Sequence, residues 1–458
     1  MIYGWSTGGF MFKLSKYNLY VENSDDLFIF NSYVGLRSIS KIAKSGNDGL
    51  IHSLRYDFDE QQFSSDELTI LRNKGLIVEE SENELEKVKY FYNNLVNGSV
   101  LNITILPTRN CNFRCKYCYE SFENKKMSKD ICDRLIKYVS KNISHYSGLH
   151  VSWFGGEPLV AKDVIDYLSE AFMAICKVGK KRYTANITTN GYLLDYDYFQ
   201  KLLSYHVTKF QVTIDGLRQE HDQNRVQCNG HGTFDTILQN IIRIKQECNS
   251  GRFNFVIRTN FNKNSISRIP EYIKFLEETI GTDSRFSLFV RTVSYLGGGD
   301  EVIANNEDNF TGYKERNQIF NAVSNTLSTL SLDVNYDMLH RGQCVCYAAL
   351  HNHIVFDVDG VIRKCTCNLD DNENNNLGYI DAKGELNLNY ALYNRWIGSF
   401  TEKKQCINCS FLPICLQKNC PANSVYNQIE GCPYEKLELD SLIQAFIKTN
   451  YIKTIFEE

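Results

Sequence analysis

The chain has 458 residues, 43% of them apolar and 13% aromatic, enough for about three domains with cores of their own. Its net charge of −4 suggests neither a nucleic-acid nor a membrane partner. Met1 to Phe12 lacks the basic start of a secretory signal, and no apolar run approaches the length of a membrane span. A cytoplasmic protein with reduced cysteines follows as the expectation, and its 16 Cys then point to metal binding ahead of disulfides.

The first domain is expected over residues 1–98. Asn18 to Glu22 and Leu27 to Asn31 read as strands joined by a turn at Asn23-Ser24-Asp25-Asp26. Ser64 or Ser65 caps a helix with Asp66 and Glu67 in its first turn and Lys74-Gly75 at its end; Leu76 to Glu79 is the next strand. Sheet, short helices and wing give a winged-helix outline, but 10 Lys/Arg against 14 Asp/Glu in residues 1–98 argue against DNA. The arrangement resembles the PqqD-like precursor-recognition domain of peptide maturases. That resemblance implies a leader peptide bound as an added strand on a sheet edge.

After the apolar stretch Leu101 to Leu106 comes TRNCNFRCKYCYE, in which Cys111, Cys115 and Cys118 form a C-x3-C-x2-C triplet. Iron–sulfur clusters are normally held by four Cys, so three thiolates leave one iron open for another ligand. The alternative is an i, i+4, i+7 set of core cysteines on a helix face. Pro107, Asn110, Asn112, Arg114 and Lys116 fit that alternative poorly.

Cys111, Cys115, Tyr117 and Cys118 match the C-x3-C-x-aromatic-C signature of the radical S-adenosylmethionine (SAM) enzymes, which this stretch resembles. The resemblance implies a [4Fe–4S] cluster whose open iron is chelated by SAM. One-electron cleavage of SAM then gives a 5′-deoxyadenosyl radical that abstracts a substrate hydrogen. Further matches follow in chain order. A strand at Val151 to Phe154 runs into Gly155-Gly156-Glu157-Pro158, similar to the family's GGEP segment at the SAM amino group. The two glycines are expected to let backbone approach the ligand closely. The strand Ala185 to Thr189 closes on Asn190-Gly191, similar to the step near the SAM ribose. Phe210 to Ile214 leads to Asp215-Gly216, and the resemblance puts Thr213 and Arg225 on the SAM carboxylate. Asn260, ending the strand Phe253 to Thr259, is a weaker contact, and Phe286 to Val293 is a sixth strand.

These strands alternate with helical segments at Ile131 to Ser140, Lys162 to Ile175 and Phe234 to Glu247. The fold class is therefore α/β, a partial (β/α)6 barrel of the TIM type over residues 99–300, open on one side. Residues 301–340 are read as a linker, with Ala304 to Glu315 a surface connection before a helix at Arg316 to Leu332. Gly297 to Gly299 is read as a turn, not a phosphate loop.

In residues 341–458, Cys346, Gly360 and Cys365 give C-x13-G-x4-C, followed by Cys406-x2-Cys409-x5-Cys415-x4-Cys420 and Cys432. The run resembles the SPASM domain of radical SAM peptide maturases, with four residues in place of the usual three before Cys420. Carried over, Cys406, Cys409, Cys415 and Cys432 hold one auxiliary [4Fe–4S] cluster. Cys365, Cys420 and one or both of Cys344 and Cys346 hold the other, with Cys367 a competing ligand. A structural zinc ribbon is the alternative. Cys132, Cys176, Cys228 and Cys248 lie outside every motif.

Taken together, these resemblances imply a radical SAM/SPASM maturase that cross-links a ribosomally made precursor peptide through a thioether or carbon–carbon bond. Its three clusters would receive electrons from a flavodoxin or ferredoxin. One rival is an anaerobic sulfatase maturase, which typically has Asp where Thr366 stands. The other is a non-catalytic iron–sulfur or zinc regulator.

Overall fold

A computed structural model of the chain describes residues 11–294, 310–327, 329–330, 332, 334–371, 373–418, 420–425, 432–433, 436 and 439–457. The expected glycine turn at 297–299 and the first half of the connection at 304–315 lie outside those residues. Among the described residues no helix is long and apolar enough to cross a membrane.

The chain opens with β1 (Phe12–Leu14), β2 (Asn18–Glu22), β3 (Asp26–Asn31) and β4 (Ser40–Ala43), then α1 (Asp48–Arg55), α2 (Ser65–Asn73), β5 (Ile77–Glu79) and α3 (Glu84–Val96). β2, β3 and β4 form an antiparallel sheet in that order, and β1 pairs with β5. The β2–β3 hairpin turns where Asn23 Oδ1 accepts from the backbone N–H groups of Asp25 and Asp26. Ser64 caps α2 in a full capping box with Glu67. Leu27, Ile29, Ile42, Leu54, Leu71, Leu76 and Ile77 pack into a small core of their own.

The main sheet follows: β6 (Val100–Ile105), β7 (Phe113–Cys115), α4 (Lys129–Asn142), β8 (Gly148–Trp153), α5 (Lys162–Val178), β9 (Arg182–Thr189), α6 (Tyr196–Ser204), β10 (Val207–Thr213), α7 (Arg218–Asn224), β11 (Arg225–Gln227), α8 (Phe234–Glu247), β12 (Asn254–Phe261), α9 (Ile269–Ile280) and β13 (Phe286–Thr292). Six strands run parallel in the order β6-β8-β9-β10-β12-β13. Helices between them bury apolar faces, and Ser128 and Asp195 cap α4 and α6 through their side chains. The aromatic content fills this layer: Phe199 of α6 lies 4.7 Å from Phe210, and Phe255 lies 5.2 Å from Phe286, centroid to centroid.

One expectation is corrected here. The helix expected at Arg316 to Leu332 runs Tyr313–Leu327, where Arg316 N donates to the carbonyl of Gly312. The β6 edge of the barrel is covered. β14 (His353–Phe356), from the Cys-rich part, pairs parallel to β6, and β15 (Val361–Arg363), β16 (Gly378–Ile380) and β17 (Leu386–Leu388) extend the sheet antiparallel to ten strands. A buried ion pair locks this junction: Arg109, just after β6, meets Asp357, just after β14, and Arg363 Nε joins at 2.7 Å.

Candidate active site

Downstream of β6 the chain turns back on itself, and Arg109 N donates to the Lys125 carbonyl at 3.0 Å. The cysteine loop sits on this turn. It is not a helix: Phe113–Cys115 is a strand, antiparallel to Arg225–Gln227, with Arg225 opposite Cys115. The core-helix alternative therefore fails, and the two-stranded ribbon sets Arg225 beside the thiols.

The GGEP segment is sewn to the same loop. Gly156 N donates to the Thr108 carbonyl and Glu157 N to that of Asn110. A Cβ on Gly156 would lie 2.4 Å from the Asn110 carbonyl oxygen, and one on Gly155 2.6 Å from that of Thr108. Close approach does require the glycines, as expected, but the partner shown here is the loop's own backbone. Gly155 also has φ of 106°.

Glu157 is 1% exposed, and its carboxylate accepts from Leu159 N (3.0 Å), Thr189 Oγ1 (2.6 Å) and Asn190 N (2.7 Å). Burial raises its pKa, and those donors pull the other way. Asn190 then donates through Nδ2 to Asn112 Oδ1 at 2.8 Å, so the ends of β8 and β9 are tied to the loop. At the end of β10, Asp215 accepts from Tyr117 Oη, and from Asn260 N at 2.8 Å. Arg225 donates to Tyr117 Oη at 2.8 Å and lies 3.7 Å from Asp215. Asp215 is held in turn by buried His221, whose Nδ1 accepts from its backbone N–H.

One cavity of about 170 Å³ gathers these pieces. Cys111, Cys115 and Cys118 line it with Tyr117, Gly155, Gly156, Glu157, Thr189, Asn190, Thr213, Arg225 and Asn260. Every residue singled out around SAM is thus brought to one place, at the C-terminal ends of parallel strands. Residues that sequence reasoning missed also line it: Tyr119, Glu120 and Arg258. Tyr119 and Glu120 directly follow Cys118, which was the available signal. Nothing in the sequence marks Arg258 beyond its strand.

Burial drives the three thiols upward, Cys118 to about 12, with Glu120 adding to it. A bound metal removes such protons. Among the described residues no three Cys, His, Asp or Glu side chains converge on a single-ion site. An iron–sulfur cluster is held by thiolates on separate irons, so the sulfurs need not meet at a point. Arg225 Nε and Glu120 Oε2, on residues that line this cavity, are buried without hydrogen-bond partners, an unspent donor and acceptor available to a ligand bound there. The residues present fit a cluster with SAM beside it.

In the Cys-rich part, Cys406, Cys409, Cys415, Cys432 and Cys420 line a second cavity of about 250 Å³. Burial pushes Cys415 up to about 12, and Lys436 Nζ lies 3.6 Å from Cys432 Sγ. Cys346 N donates to the Lys418 carbonyl, and its thiol, raised to about 12 by burial, feels those of Cys365 and Cys420. Cys344 Sγ donates to the Met338 carbonyl at 3.7 Å. Cys365 is held below the ordinary thiol range by Cys367, which is itself raised and also touches Tyr119. Of the cysteines outside motifs, Cys132, Cys176 and Cys248 are buried and Cys228 is exposed.

Comparison with known proteins agrees with this geometry. The family described as the Radical SAM superfamily matches residues 105–276. The Fe-coproporphyrin III synthase of Methanosarcina barkeri (strain Fusaro / DSM 804) is 26% identical over 171 residues, 37% of this chain but only 39% of that enzyme's length. The cysteine-type anaerobic sulfatase-maturating enzyme of Clostridium novyi (strain NT) is 24% identical over 361 residues, 72% of this chain and 90% of that one. Among solved structures, native anSMEcpe with bound AdoMet and Kp18Cys peptide superposes with a TM-score of 0.57 at 19% identity, covering 76% of this chain and 98% of its own. That likeness establishes a shared fold. Residues 105–276 of this chain are a radical SAM domain, which implies a [4Fe–4S] cluster and SAM.

Proposed function

We propose that the chain is a radical SAM peptide maturase that cross-links a ribosomally made precursor. The observation that carries the reading is the single cavity in which three thiols meet the ends of consecutive parallel strands. Bound there, a cluster held by Cys111, Cys115 and Cys118 supplies one-electron reductive cleavage of SAM and hydrogen abstraction from substrate. The chain's own residues orient and exclude. Arg225 and Thr213 take the SAM carboxylate, the Gly155–Glu157 backbone takes the amino group, and Asn190 lies toward the ribose. Asp215 acts one step back, aligning Tyr117, Arg225 and Asn260.

The remaining assignments belong to the same proposal. Residues 1–98 dock the leader, 99–300 are the core, 301–340 link, and 341–458 are a SPASM domain with two auxiliary clusters. Cys406, Cys409, Cys415 and Cys432 hold one. Cys365, Cys420 and Cys346 supply the other, with Cys367 as a further thiol beside Cys365 and Cys344 as the less favoured candidate. A flavodoxin or ferredoxin supplies electrons, and the enzyme works in the cytoplasm. Peptide as substrate is supported by the shared fold with anSMEcpe, whose structure contains a bound peptide.

Sulfatase maturation is the second reading, favoured by the length of the match to the Clostridium novyi enzyme. Thr366 speaks against it. It is 5% exposed, hydrogen-bonded to Tyr347 Oη at 2.6 Å, and supplies no carboxylate where those enzymes typically have Asp.

The test is an anaerobic incubation of reconstituted protein with SAM, dithionite and the peptide encoded beside its gene. Peptide that loses hydrogen while 5′-deoxyadenosine appears supports the reading. SAM cleavage with peptide mass unchanged, or a sulfatase-derived peptide as the better substrate, overturns it.

A further inference from the structure

The N-terminal sheet has two outer edges, and the one on β4 is already taken. Lys41 N donates to the Lys453 carbonyl at 3.1 Å, and Ile455 N donates to the Lys41 carbonyl at 3.0 Å. Thr454 faces Lys41 in parallel register, so segment 453–455 lies on this edge as a one-rung strand. Ile455 is 3% exposed and enters the small core between sheet and helices, against Ile29, Ile42, Leu54 and Leu71. Among the described residues it is the sole buried member of that core from outside residues 27–77. Phe456 follows onto Phe63, centroids 6.2 Å apart. Glu457 folds back, its carboxylate accepting from Thr454 N at 2.9 Å and Tyr451 Oη at 2.7 Å.

This hold is slight beside the five-residue register that joins β2 to β3. Within residues 453–457 it includes two backbone bonds, one buried aliphatic side chain and one half-buried ring; Lys453 and Thr454 are exposed, and Ile452 before them is half-buried against the main core. Strand addition works with those parts: edge hydrogen bonds give affinity, and pockets for particular side chains give choice. We propose that the β4 edge is a docking groove for an extended peptide carrying an aliphatic residue followed by an aromatic one. The chain's own segment 453–457 fills it as a resident strand that the incoming peptide displaces. The proposal rests on reading residues 1–98 as a peptide-docking unit, and it adds the pattern recognised and a built-in competitor.

A tethered strand presents itself at about millimolar effective concentration, so one with an intrinsic Kd of about 100 µM weakens a competitor about tenfold. The probe is a fluorescein-labelled peptide with the sequence of residues 449–458, followed by anisotropy against three proteins. These are the full chain, a deletion of residues 451–458, and full-length Ile455→Lys, in which the strand cannot insert. The deletion and Ile455→Lys are expected to bind the probe about tenfold more tightly than the full chain. A probe with lysine at the same position is expected not to bind. Equal affinity for all three proteins, or no binding to either variant with circular dichroism unchanged, overturns the proposal. Loss of fold in both variants overturns it too, since the segment is then a structural plug. Unlabelled precursor peptide separates the two readings. Probe binding without competition keeps the groove and removes leader docking; competition without a SAM-dependent mass change keeps docking and removes the maturase chemistry.

Discussion

Replacing Glu157 by Gln tests how the site is held together. The side chain keeps its shape, but one acceptor oxygen becomes an NH2 donor. With the nitrogen at the Oε2 position it faces the N–H of Asn190; at the Oε1 position it faces the N–H of Leu159, and only the Thr189 hydroxyl can turn to accept. Either way one buried backbone N–H loses its acceptor, at a cost of about 1–3 kcal/mol, and the charge assistance of the other bonds goes too, about 1 kcal/mol more. A local loss of about 2–4 kcal/mol corresponds to about 30- to 700-fold, since each 1.4 kcal/mol is a factor of ten. The assay is amide hydrogen exchange read by mass spectrometry on peptides containing Leu159 and Asn190. Protection there is expected to fall by that factor, with SAM affinity falling in parallel. A change of less than about threefold at both amides, with SAM binding unaltered, refutes the reasoning.

Three further outcomes are expected. Gly156→Ala places a Cβ 2.4 Å and 2.9 Å from the carbonyl oxygens of Asn110 and Arg109, so it parts GGEP from the cysteine loop and lowers SAM affinity by more than about tenfold. Gly49→Ala, with nothing within 4 Å, is the control that leaves it unchanged. Asp357→Asn leaves the buried Arg363 guanidinium facing a neutral amide and Arg109 with only its more exposed partners Glu123 and Asp370, costing up to about 3–5 kcal/mol in denaturant unfolding, and a cost below about 1 contradicts the account. Burial pushes the Asp357 carboxyl up, but the two guanidiniums outweigh it and hold it low, so its contribution persists above the ordinary Asp range and is lost as pH falls through the depressed value. Burial holds His221 and His353 well below 6.5, so acid below that pH protonates them in the unfolded chain only. Stability then falls by up to about 1.4 kcal/mol per histidine per pH unit, and His221→Gln removes one share of that slope, read from unfolding at pH 7 and pH 5.5.

Local signals carried far in this sequence. The Ser64–Glu67 capping box, the Asn23 turn and the helix Phe234–Glu247 were legible because propensity, capping and apolar period agree there. Strand ends were less so: β9 starts at Arg182, three residues earlier than its apolar run, because register with β8 fixes the end. The helix at Tyr313–Leu327 was placed late because its first turn, Tyr-Lys-Glu, looks like the polar connection before it. The pairing of β14 with β6 had no sequence signal, since it joins a four-residue strand to one 251 positions away. The site was legible as a set of residues, each just after a strand, but its wiring was not. That Arg225 reaches Cys115 through a three-residue ribbon, and that Asp215 joins Tyr117, Arg225 and Asn260, are tertiary facts.

The central claim is that Cys111, Cys115 and Cys118 hold a cluster with one iron left for SAM. Electron paramagnetic resonance of the anaerobic, dithionite-reduced protein, with and without SAM, tests it most directly, using a Cys406→Ala, Cys409→Ala, Cys415→Ala variant to thin the background. The account predicts a low-temperature signal with one component that changes when SAM is added and is lost in Cys115→Ala. The absence of any SAM-responsive component, or a SAM-responsive component that survives Cys115→Ala, contradicts it.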